Sequence, residues 1–559
     1  MGKLRMELSD FLKCRVYSVM FGLMAACGYG FAVTHYSIGM DDTAIPLYFE
    51  EGVAPYVGRW SMFVINRIFH MHISDFAPWM VELLSVLILT VSVTLWCVLW
   101  KRICEPKVTL PTWCYLFVAG IFLTCPLISE VFIFYLHNGV CTGYGLTALA
   151  LLCLLESLSA GKGKRRQAWD ILLSAIFLTI AVGFYESFMI VYVIGGIMAF
   201  FLIRRIHGRE SKEEGYSPRV LLWIRNGFLS CAGSLLARTI ILALLGRIYH
   251  LETLEKYDVL YRSLFGDNFR VEGELIMNLK RFWMMYYVHG VVYFPITVLV
   301  IALAGIVIYS LYYCIRKKDI MLFLCSLIIV ILPVLMSVIE GIPTHYRSSQ
   351  YVPLVGAFAV LLIMLELERR GRWLKGIGYT ALAILIFNQC ADMNKWFYVD
   401  YLKYQDAAGV MKQVAQDIQA GFDSRKPVAI KGAYRVPYEI AKDAYCSFSS
   451  PEYRLICLLT DPIDPHLKEK YYAENGQGYI FAEAPIVSTL QWGITAFDGT
   501  CGQLIEFWKM HGYSFRCVTD PETIAEAERI MRDENMPGYP QKGYIREEDD
   551  YIIVNLEHR

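Results

Sequence analysis

The sequence predicts a polytopic α-helical membrane protein with a small α/β domain at its C-terminal end. Of its 559 residues, 56% are hydrophobic and only 19% are charged, which is more apolar than a water-soluble domain of this size requires. The apolar residues are gathered in runs of about 20, the length at which a helix crosses a bilayer. Strand-length segments of alternating polarity, the pattern of a membrane barrel, are absent from the sequence, so helices are expected to form the spans.

Eleven apolar runs predict membrane-spanning helices. The first follows Lys3, Arg5, Lys13 and Arg15 without a convincing small-residue cleavage site, so we expect an uncleaved span rather than a signal peptide. The predicted spans lie near residues 16–36, 78–100, 110–128, 142–158, 168–184, 188–203, 219–247, 286–314, 320–339, 352–367 and 375–391.

Basic residues mark every second connection and predict the orientation. By the positive-inside tendency, these connections are cytoplasmic together with the N-terminus. The basic groups are Lys101, Arg102 and Lys107; Lys162, Lys164, Arg165 and Arg166; Arg204, Arg205 and Arg209; Arg316, Lys317 and Lys318; and Arg369, Arg370, Arg372 and Lys375. The external loops are then 37–77, 129–141, 185–187, 248–285 and 340–351, and eleven spans place the C-terminal part outside.

Residues 392–559 have the composition of a soluble domain and predict a compact extracytoplasmic α/β unit. The region is long enough to fold on its own, and residues 1–391 form the predicted transmembrane domain. The expected strands are 426–430 and 551–554, and the expected helices are 404–420 and 522–532.

The first external loop carries the most suggestive chemistry. Asp41 and Asp42 follow the first span at once, and Gly58-Arg59-Trp60 stands further along the same loop. At a bilayer surface a carboxylate can remove a proton and a guanidinium can bind phosphate. The other interpretation is that the two aspartates end a helix in solvent. From Trp60 to Phe69 the apolar spacing predicts an amphipathic helix in the interface.

Two further acidic residues lie on predicted external turns. Glu186, in Tyr185-Glu186-Ser187, occupies a very short connection between two spans, where a carboxylate cannot extend far into water and is expected to face the protein interior. A plain helix-terminal glutamate is the alternative. Glu130 lies on the second external loop and is a candidate substrate-binding residue.

Two arginines outside the first loop are candidates for binding phosphate. Arg347 lies close to His345, just outside the ninth predicted span, and a simple interface anchor is the alternative for this arginine. Arg238 lies well inside the seventh span, where an arginine is costly and faces a partner or a cavity. We expect Arg238 to pair with Glu340 or Glu82, or to reach the phosphate from below.

The pattern resembles the Gtr-type bacterial glucosyltransferase domain family, which belongs to the GT-C class of integral-membrane glycosyltransferases. The acidic pair Asp41-Asp42, the Gly58-Arg59-Trp60 motif and the Tyr185-Glu186-Ser187 turn carry the resemblance. It covers the eleven spans in layout and leaves the C-terminal part unexplained. Relatives more often carry Gln where this chain has Glu186, so the resemblance does not define the role of this residue.

The resemblance implies transfer of a sugar, glucose in this family, from a polyprenyl-phosphate donor to a surface polysaccharide such as O-antigen, or to a glycolipid. The protein would lie in the bacterial inner membrane and act on its outer face. Asp41 or Asp42 would be the general base, and Arg59 or Arg347 would stabilise the leaving phosphate. A retaining route would use Asp42 or Glu186 as nucleophile, and Asp41 and Asp42 could also hold Mg²⁺ or Mn²⁺.

Two alternative functions remain open on the sequence. A transporter or flippase of lipid-linked sugars would carry acidic residues at mid-membrane and show internal two-fold similarity. Here the acidic residues lie at the outer boundary, which favours surface chemistry. A polysaccharide polymerase or ligase is closer in kind. The sixteen cysteines form no C-x-x-C pair, so the sequence indicates neither a zinc site nor a redox motif.

Overall fold

A computed structural model describes most of the chain. The described residues are 2–38, 58–69, 78–105, 107–133, 137–159, 161–208, 220–249, 297–340, 348–432, 434, 437–441, 490 and 502–557. The structural statements below concern these residues.

The described chain is mostly helical, with one small sheet. The helices are α1 (Gly2–Lys13), α2 (Arg15–Thr34), α3 (Trp60–Phe69), α4 (Pro78–Cys104), α5 (Tyr115–Leu123), α6 (Leu127–Ile133), α7 (His137–Ser157), α8 (Lys164–Phe184), α9 (Phe188–His207), α10 (Val220–Ile248), α11 (Thr297–Lys317), α12 (Ile320–Glu340), α13 (Val352–Leu367), α14 (Arg372–Gly421), α15 (Tyr438–Ala441), α16 (Gly502–Met510) and α17 (Pro521–Asp533). The strands are β1 (Val428–Lys431), β2 (Ile545–Glu547) and β3 (Ile552–Asn555).

The helical part has the character of a polytopic membrane protein. Among the described residues, seven helices are long and apolar enough to cross a membrane, or eight if one bent pair counts as a single span. Two shorter apolar helices, Ile320–Leu332 and Val352–Leu367, accompany them. Each of the eleven predicted runs overlaps a helix, and a total of eleven crossings stays a prediction.

The bent pair has a local cause in the sequence. Thr112–Leu123 and Leu127–Ile133 meet at 55°, with Pro126 in the break between them. Proline has no backbone N–H to continue a helix, and its ring clashes with the preceding turn. Thr124 at the break donates to the carbonyl oxygen of Gly120 over 2.9 Å. The predicted third span is therefore an interrupted helix.

A single hydrophobic cluster unites the helices of the membrane part. Helix α13 lies at its centre, because nearly all of its side chains are buried, as expected for a helix that is apolar all round. Pro353 stands in the first turn of α13, where its missing N–H has no cost. The segment 348–351 immediately precedes α13 and therefore lies at one end of the bundle.

Helix α14 runs without a break for 50 residues, a length of about 75 Å at 1.5 Å per residue. The predicted boundary between the two domains, after residue 391, falls inside this helix, and the division into domains stays a prediction. The first part of α14 packs along α2: Asn394 donates to the carbonyl oxygen of Cys27 over 2.6 Å, and Gly28 lies against Cys390 and Met393.

The second part of α14 packs against the sheet in a separate hydrophobic cluster, called here the C-terminal cluster. Ala407, Val410, Met411, Val414 and Ile418 are buried there, at the 3–4-residue spacing of one helix face. The sheet order is β1-β3-β2, with β1 parallel and β2 antiparallel to β3. The predicted strands and helices of this region are all found, and β2, α15 and α16 are additions to the prediction.

The segment that leaves α2 is anchored on α14. Ser37 donates a hydrogen bond to Asp400, whose other carboxylate oxygen pairs with Lys403 at 3.2 Å. The next residue, Ile38, is 2% exposed and belongs to the C-terminal cluster. The first predicted external loop therefore starts from a fixed point.

Ion pairs gather at the end of the bundle that carries the basic connections. Arg102 binds both Glu7 and Glu156, and Arg204 binds Asp319 at 2.7 Å. Pairing offsets the cost of burying these charges near the membrane. Several basic residues of this end are thus part of the fold as well as markers of orientation.

We expect a reporter fused at the C-terminus to read as extracytoplasmic. Alkaline phosphatase placed there should be active, because an odd number of crossings follows from the basic connections. A fusion within residues 162–166 is the matched control and should be inactive. An inactive C-terminal fusion would contradict both the predicted count and the predicted side of the external loops.

Candidate functional site

The Tyr185-Glu186-Ser187 turn is held rigidly against the segment before α13. Helix α8 ends at Phe184, and α9 begins at Phe188. The hydroxyl groups of Tyr185 and Ser348 lie 2.9 Å apart, and Ser187 donates to the side-chain oxygen of Gln350 over 2.5 Å. These contacts at either side of Glu186 restrict the directions in which its side chain can point.

Glu186 faces the protein interior and pairs with Arg238. Its Oε1 lies 3.6 Å from Arg238 Nη2, and the two side chains are 16% and 4% exposed. The distance is that of an ion pair rather than of a hydrogen bond. Arg238 lies in α10, which packs on α8. The prediction that Arg238 is buried is confirmed, and among the described residues it forms an ion pair with Glu186. Pairing of Arg238 with Glu82 or Glu340 stays a prediction, and the side chain of Glu340 lies outside the described residues.

Gly58 packs directly on this ion pair. Its φ of +87° lies in the left-handed region, and a Cβ added here would lie 2.3 Å from Arg238 Nη2 and 3.0 Å from Glu186 Oε1. Only glycine meets both demands, because it has no side chain and adopts positive φ without strain. The glycine of the Gly58-Arg59-Trp60 motif therefore lets the end of the first loop approach Glu186 and Arg238.

Arg59 and Trp60 extend the contact with the turn. The guanidinium carbon of Arg59 lies 4.6 Å from the centre of the Tyr185 ring, a cation–π contact that fixes the side chain. Trp60 begins α3, and its ring packs against Gly183, where an added Cβ would lie 2.4 Å from Nε1. The helix predicted for this stretch is confirmed, and its place in the membrane interface stays a prediction.

Gly58, Arg59, Tyr185, Glu186 and Arg238 together form what is called here the Gly58 cluster. Among the described residues it brings two guanidinium groups and one carboxylate to one end of the bundle. Because the attraction between opposite charges strengthens at low dielectric, guanidinium groups at such a place attract an anion strongly. The arrangement is suited to binding a phosphate group beside a polar turn.

Of the remaining predicted site residues, the structure describes only Glu130. Glu130 is 1% exposed in the short helix α6, so it is buried rather than on an open loop. Asp41, Asp42, His345 and Arg347 lie outside the described residues. Within the described part of the chain, no group of three His, Cys, Asp or Glu residues could hold a metal ion.

Several polar residues of this region were not among the predicted site residues. Ser348 and Gln350 bind the turn from the segment before α13, and Ser61 donates to the carbonyl oxygen of Ile180 in α8 over 2.9 Å. Ser and Gln are common in loops, and nothing in the sequence marks these as contacts across 163 and 119 positions.

A model of the family described as glucosyl transferase GtrII matches residues 30–364, which is more than half of the chain. The match includes the whole Gly58 cluster and ends within α13, before α14 and the C-terminal cluster. Searches of curated proteins and of solved structures gave no match.

Proposed function

Since the chain belongs to the glucosyl transferase GtrII family, we propose that it transfers glucose from a polyprenyl-phosphate donor to a surface polysaccharide or a glycolipid. The family membership confirms the resemblance drawn from the sequence and supports a glycosyltransferase of the membrane. The donor, the acceptor and an active site on the outer face of a bacterial inner membrane are parts of the proposal.

The observation that carries the proposal is the Gly58 cluster. Arg59 and Arg238 bring two positive charges to a place that also holds Glu186 and the polar groups of the turn. A lipid phosphate needs such a place: cationic partners at the membrane boundary, with hydrocarbon beside them. A guanidinium fork matches the oxygen atoms of phosphate in geometry as well as in charge.

The proposed reaction joins the acceptor hydroxyl to the anomeric carbon of the sugar. The oxygen of the hydroxyl bonds to that carbon, the bond from the carbon to the phosphate oxygen breaks, and polyprenyl phosphate leaves with the electron pair. The proton of the hydroxyl passes to Asp41 or Asp42, the proposed general base. Arg59 stabilises the charge that develops on the phosphate.

The first loop is anchored at both ends in a way that suits this assignment. It leaves the C-terminal cluster at Ile38, and it returns at Gly58 against Glu186 and Arg238. Asp41 follows Ile38 by three residues, a stretch that spans about 11 Å at most. The proposed base and the proposed phosphate-binding arginine thus belong to one loop with two fixed ends.

Glu186 is proposed to have a second role besides pairing with Arg238. In the proposed inverting reaction it orients Arg238 and supports the approach of Gly58. In a retaining reaction it or Asp42 is the nucleophile, since that route needs a second carboxylate near the base. Arg347 and His345 complete the proposed donor site from the segment that precedes Ser348, and Glu130, Tyr185 and Trp60 are proposed to contact substrate.

We expect Arg59→Ala to weaken binding of a synthetic polyprenyl-phosphate sugar by about 10- to 100-fold. The substitution deletes a charge-assisted contact of about 1.5–3 kcal/mol. Arg59→Lys should restore part of the affinity, because lysine supplies charge without the planar fork. Direct donor binding in detergent is the measurement, with the exposed Arg165→Ala as the control. Unchanged affinity in Arg59→Ala would move the phosphate site to Arg347 or Arg238.

A further inference from the structure

A groove of ≈ 590 Å³ opens on the side of the bundle between α11, α13 and α14. Its walls are almost wholly apolar, and several wall residues also face outwards: Ile301 is 66%, Ile363 50% and Ile377 64% exposed. These helices coincide with predicted membrane spans, so the groove opens towards the hydrocarbon of the bilayer.

The groove has room for a hydrocarbon chain beside α11. Gly305 lines it, and an added Cβ at this residue would meet no atom within 4 Å. The wall of the groove at Gly305 is thus open, without a close backbone contact that would exclude a chain. A chain of methylene groups is the occupant that such an apolar, laterally open gap accepts in a bilayer.

One end of the groove is polar and positively charged. Glu366 lies there, and it accepts hydrogen bonds from Tyr313 over 2.7 Å and from Tyr309 over 2.9 Å while pairing with Arg205. Its charge is therefore compensated within the protein. Arg370 also lines this end, and within the described part of the chain no carboxylate pairs with its exposed guanidinium.

The surroundings of Arg370 add to the positive charge. Residues 316–319 and 366–375 contain seven basic and three acidic side chains. One of the acidic side chains, Asp319, forms an ion pair with Arg204, and another, Glu368, pairs with Lys375 at 2.7 Å. Charge at this end of the groove is thus complementary to an anionic head group.

This end of the bundle is remote from the Gly58 cluster. Gln350, which holds the Tyr185-Glu186-Ser187 turn, precedes α13, whereas Glu366 is near the far end of that helix. The 16 residues of α13 separate the two places by about 24 Å along the helix axis. A head group beside Arg370 is therefore at the opposite membrane surface from the proposed donor site.

We propose that the groove binds an anionic phospholipid, with one acyl chain along Gly305 and the phosphate against Arg370. The lipid comes from the leaflet on the side of the basic connections. The Arg370 guanidinium donates hydrogen bonds to the phosphate oxygen atoms, and the apolar walls take the chain. This site is separate from the proposed transfer reaction and stands or falls independently of it.

The test is lipid binding to the full-length protein in detergent, measured by native mass spectrometry. Phosphatidylglycerol and phosphatidylcholine with the same acyl chains are titrated in competition. We expect the first binding site to prefer phosphatidylglycerol over phosphatidylcholine by about fivefold or more. In Arg370→Gln this preference should fall by about fivefold. Arg372→Gln, an exposed neighbour that does not line the groove, is the matched control and should keep the preference.

A second pair of variants tests the apolar part of the site. Gly305→Phe fills the groove and should weaken binding of the first phosphatidylglycerol by about fivefold or more, whereas Gly376→Phe should not. A Cβ at Gly376 also meets no atom within 4 Å, and this residue does not line the groove. Gly305→Leu is the smaller substitute if the phenylalanine variant does not elute as a single species.

Two results would overturn the proposal. The first is an unchanged phosphatidylglycerol preference in both Arg370→Gln and Gly305→Phe. The second is stronger binding of polyprenyl phosphate than of phosphatidylglycerol that is lost in Arg370→Gln, since the groove would then belong to the isoprenoid lipid.

Discussion

Replacement of the proposed general base, Asp41 or Asp42, by asparagine is expected to lower the rate of sugar transfer by about 10²- to 10⁴-fold, the usual contribution of general-base catalysis. Asparagine keeps the shape of the side chain and part of its hydrogen bonding, but it cannot accept the proton of the acceptor hydroxyl. The donor should still bind, because the proposed phosphate contacts come from arginine. The loss should therefore appear in turnover rather than in donor affinity.

The two aspartates serve as controls for each other. Side chains of adjacent residues point in different directions in helices and in strands alike, so we expect only one of the two aspartates to face the reacting carbon. The other substitution should affect mainly binding or folding. The measurement is transfer from a synthetic polyprenyl-phosphate sugar to an acceptor in detergent, alongside direct donor binding. Near-normal transfer by both asparagine variants would remove the catalytic assignment of this loop.

Arg238→Ala is expected to destabilise the protein by about 3–5 kcal/mol, because it leaves Glu186 buried without its ion-pair partner. The double variant Glu186→Gln with Arg238→Met removes both charges and should recover most of this loss. Unfolding titrations in mixed micelles measure the difference. Leu236→Ala on the same helix is the control, since Leu236 is 64% exposed on the surface of the bundle and its truncation leaves no cavity in the protein.

Activity of the folded double variant then separates the two roles of Glu186. If Glu186 only orients Arg238, the double variant should lose donor affinity with a smaller change in turnover. If Glu186 is a nucleophile, turnover should fall as far as in the aspartate variants. An Arg238→Ala protein as stable as Leu236→Ala would show that the ion pair does not hold this end of the bundle.

The sequence predicted the helices well, because apolar runs define membrane segments by length and composition alone. The predicted run 168–184 compares with Lys164–Phe184, and the run 219–247 with Val220–Ile248. The burial of Arg238 was predictable for a different reason: an arginine well inside a span is costly against lipid and therefore faces a partner or a cavity. The three-residue strand β2 was not, because only Ile545 among its residues is buried and so short a strand shows no alternation.

The partner of Arg238 could not be derived from the sequence. A hydropathy pattern gives depth in the membrane, but it says nothing of which helices are neighbours or which way each helix is turned about its axis. The ion pair depends on α10 lying beside α8, because the turn that follows α8 carries Glu186. For the same reason, the sequence indicated the Gly58-Arg59-Trp60 motif but not the packing of Gly58 against Arg238, which leaves no room for a side chain at residue 58.

The unbroken course of α14 makes residue count a determinant of function in this chain. No flexible linker separates the part that packs on α2 from the part that carries Ala407 and Val410. One residue inserted between Asn394 and Asp400 would turn the C-terminal cluster by about 100° about the helix axis and lift it by about 1.5 Å. Ser37 would then lose its hydrogen bond to Asp400, and the start of the predicted first external loop would lose its anchor. Seven inserted residues would nearly restore the rotational phase, to within about 20°, while displacing the cluster by about 10 Å. Changes of length that this helix tolerates should therefore come in whole pairs of turns, accompanied by an equal lengthening of the segment that leaves α2.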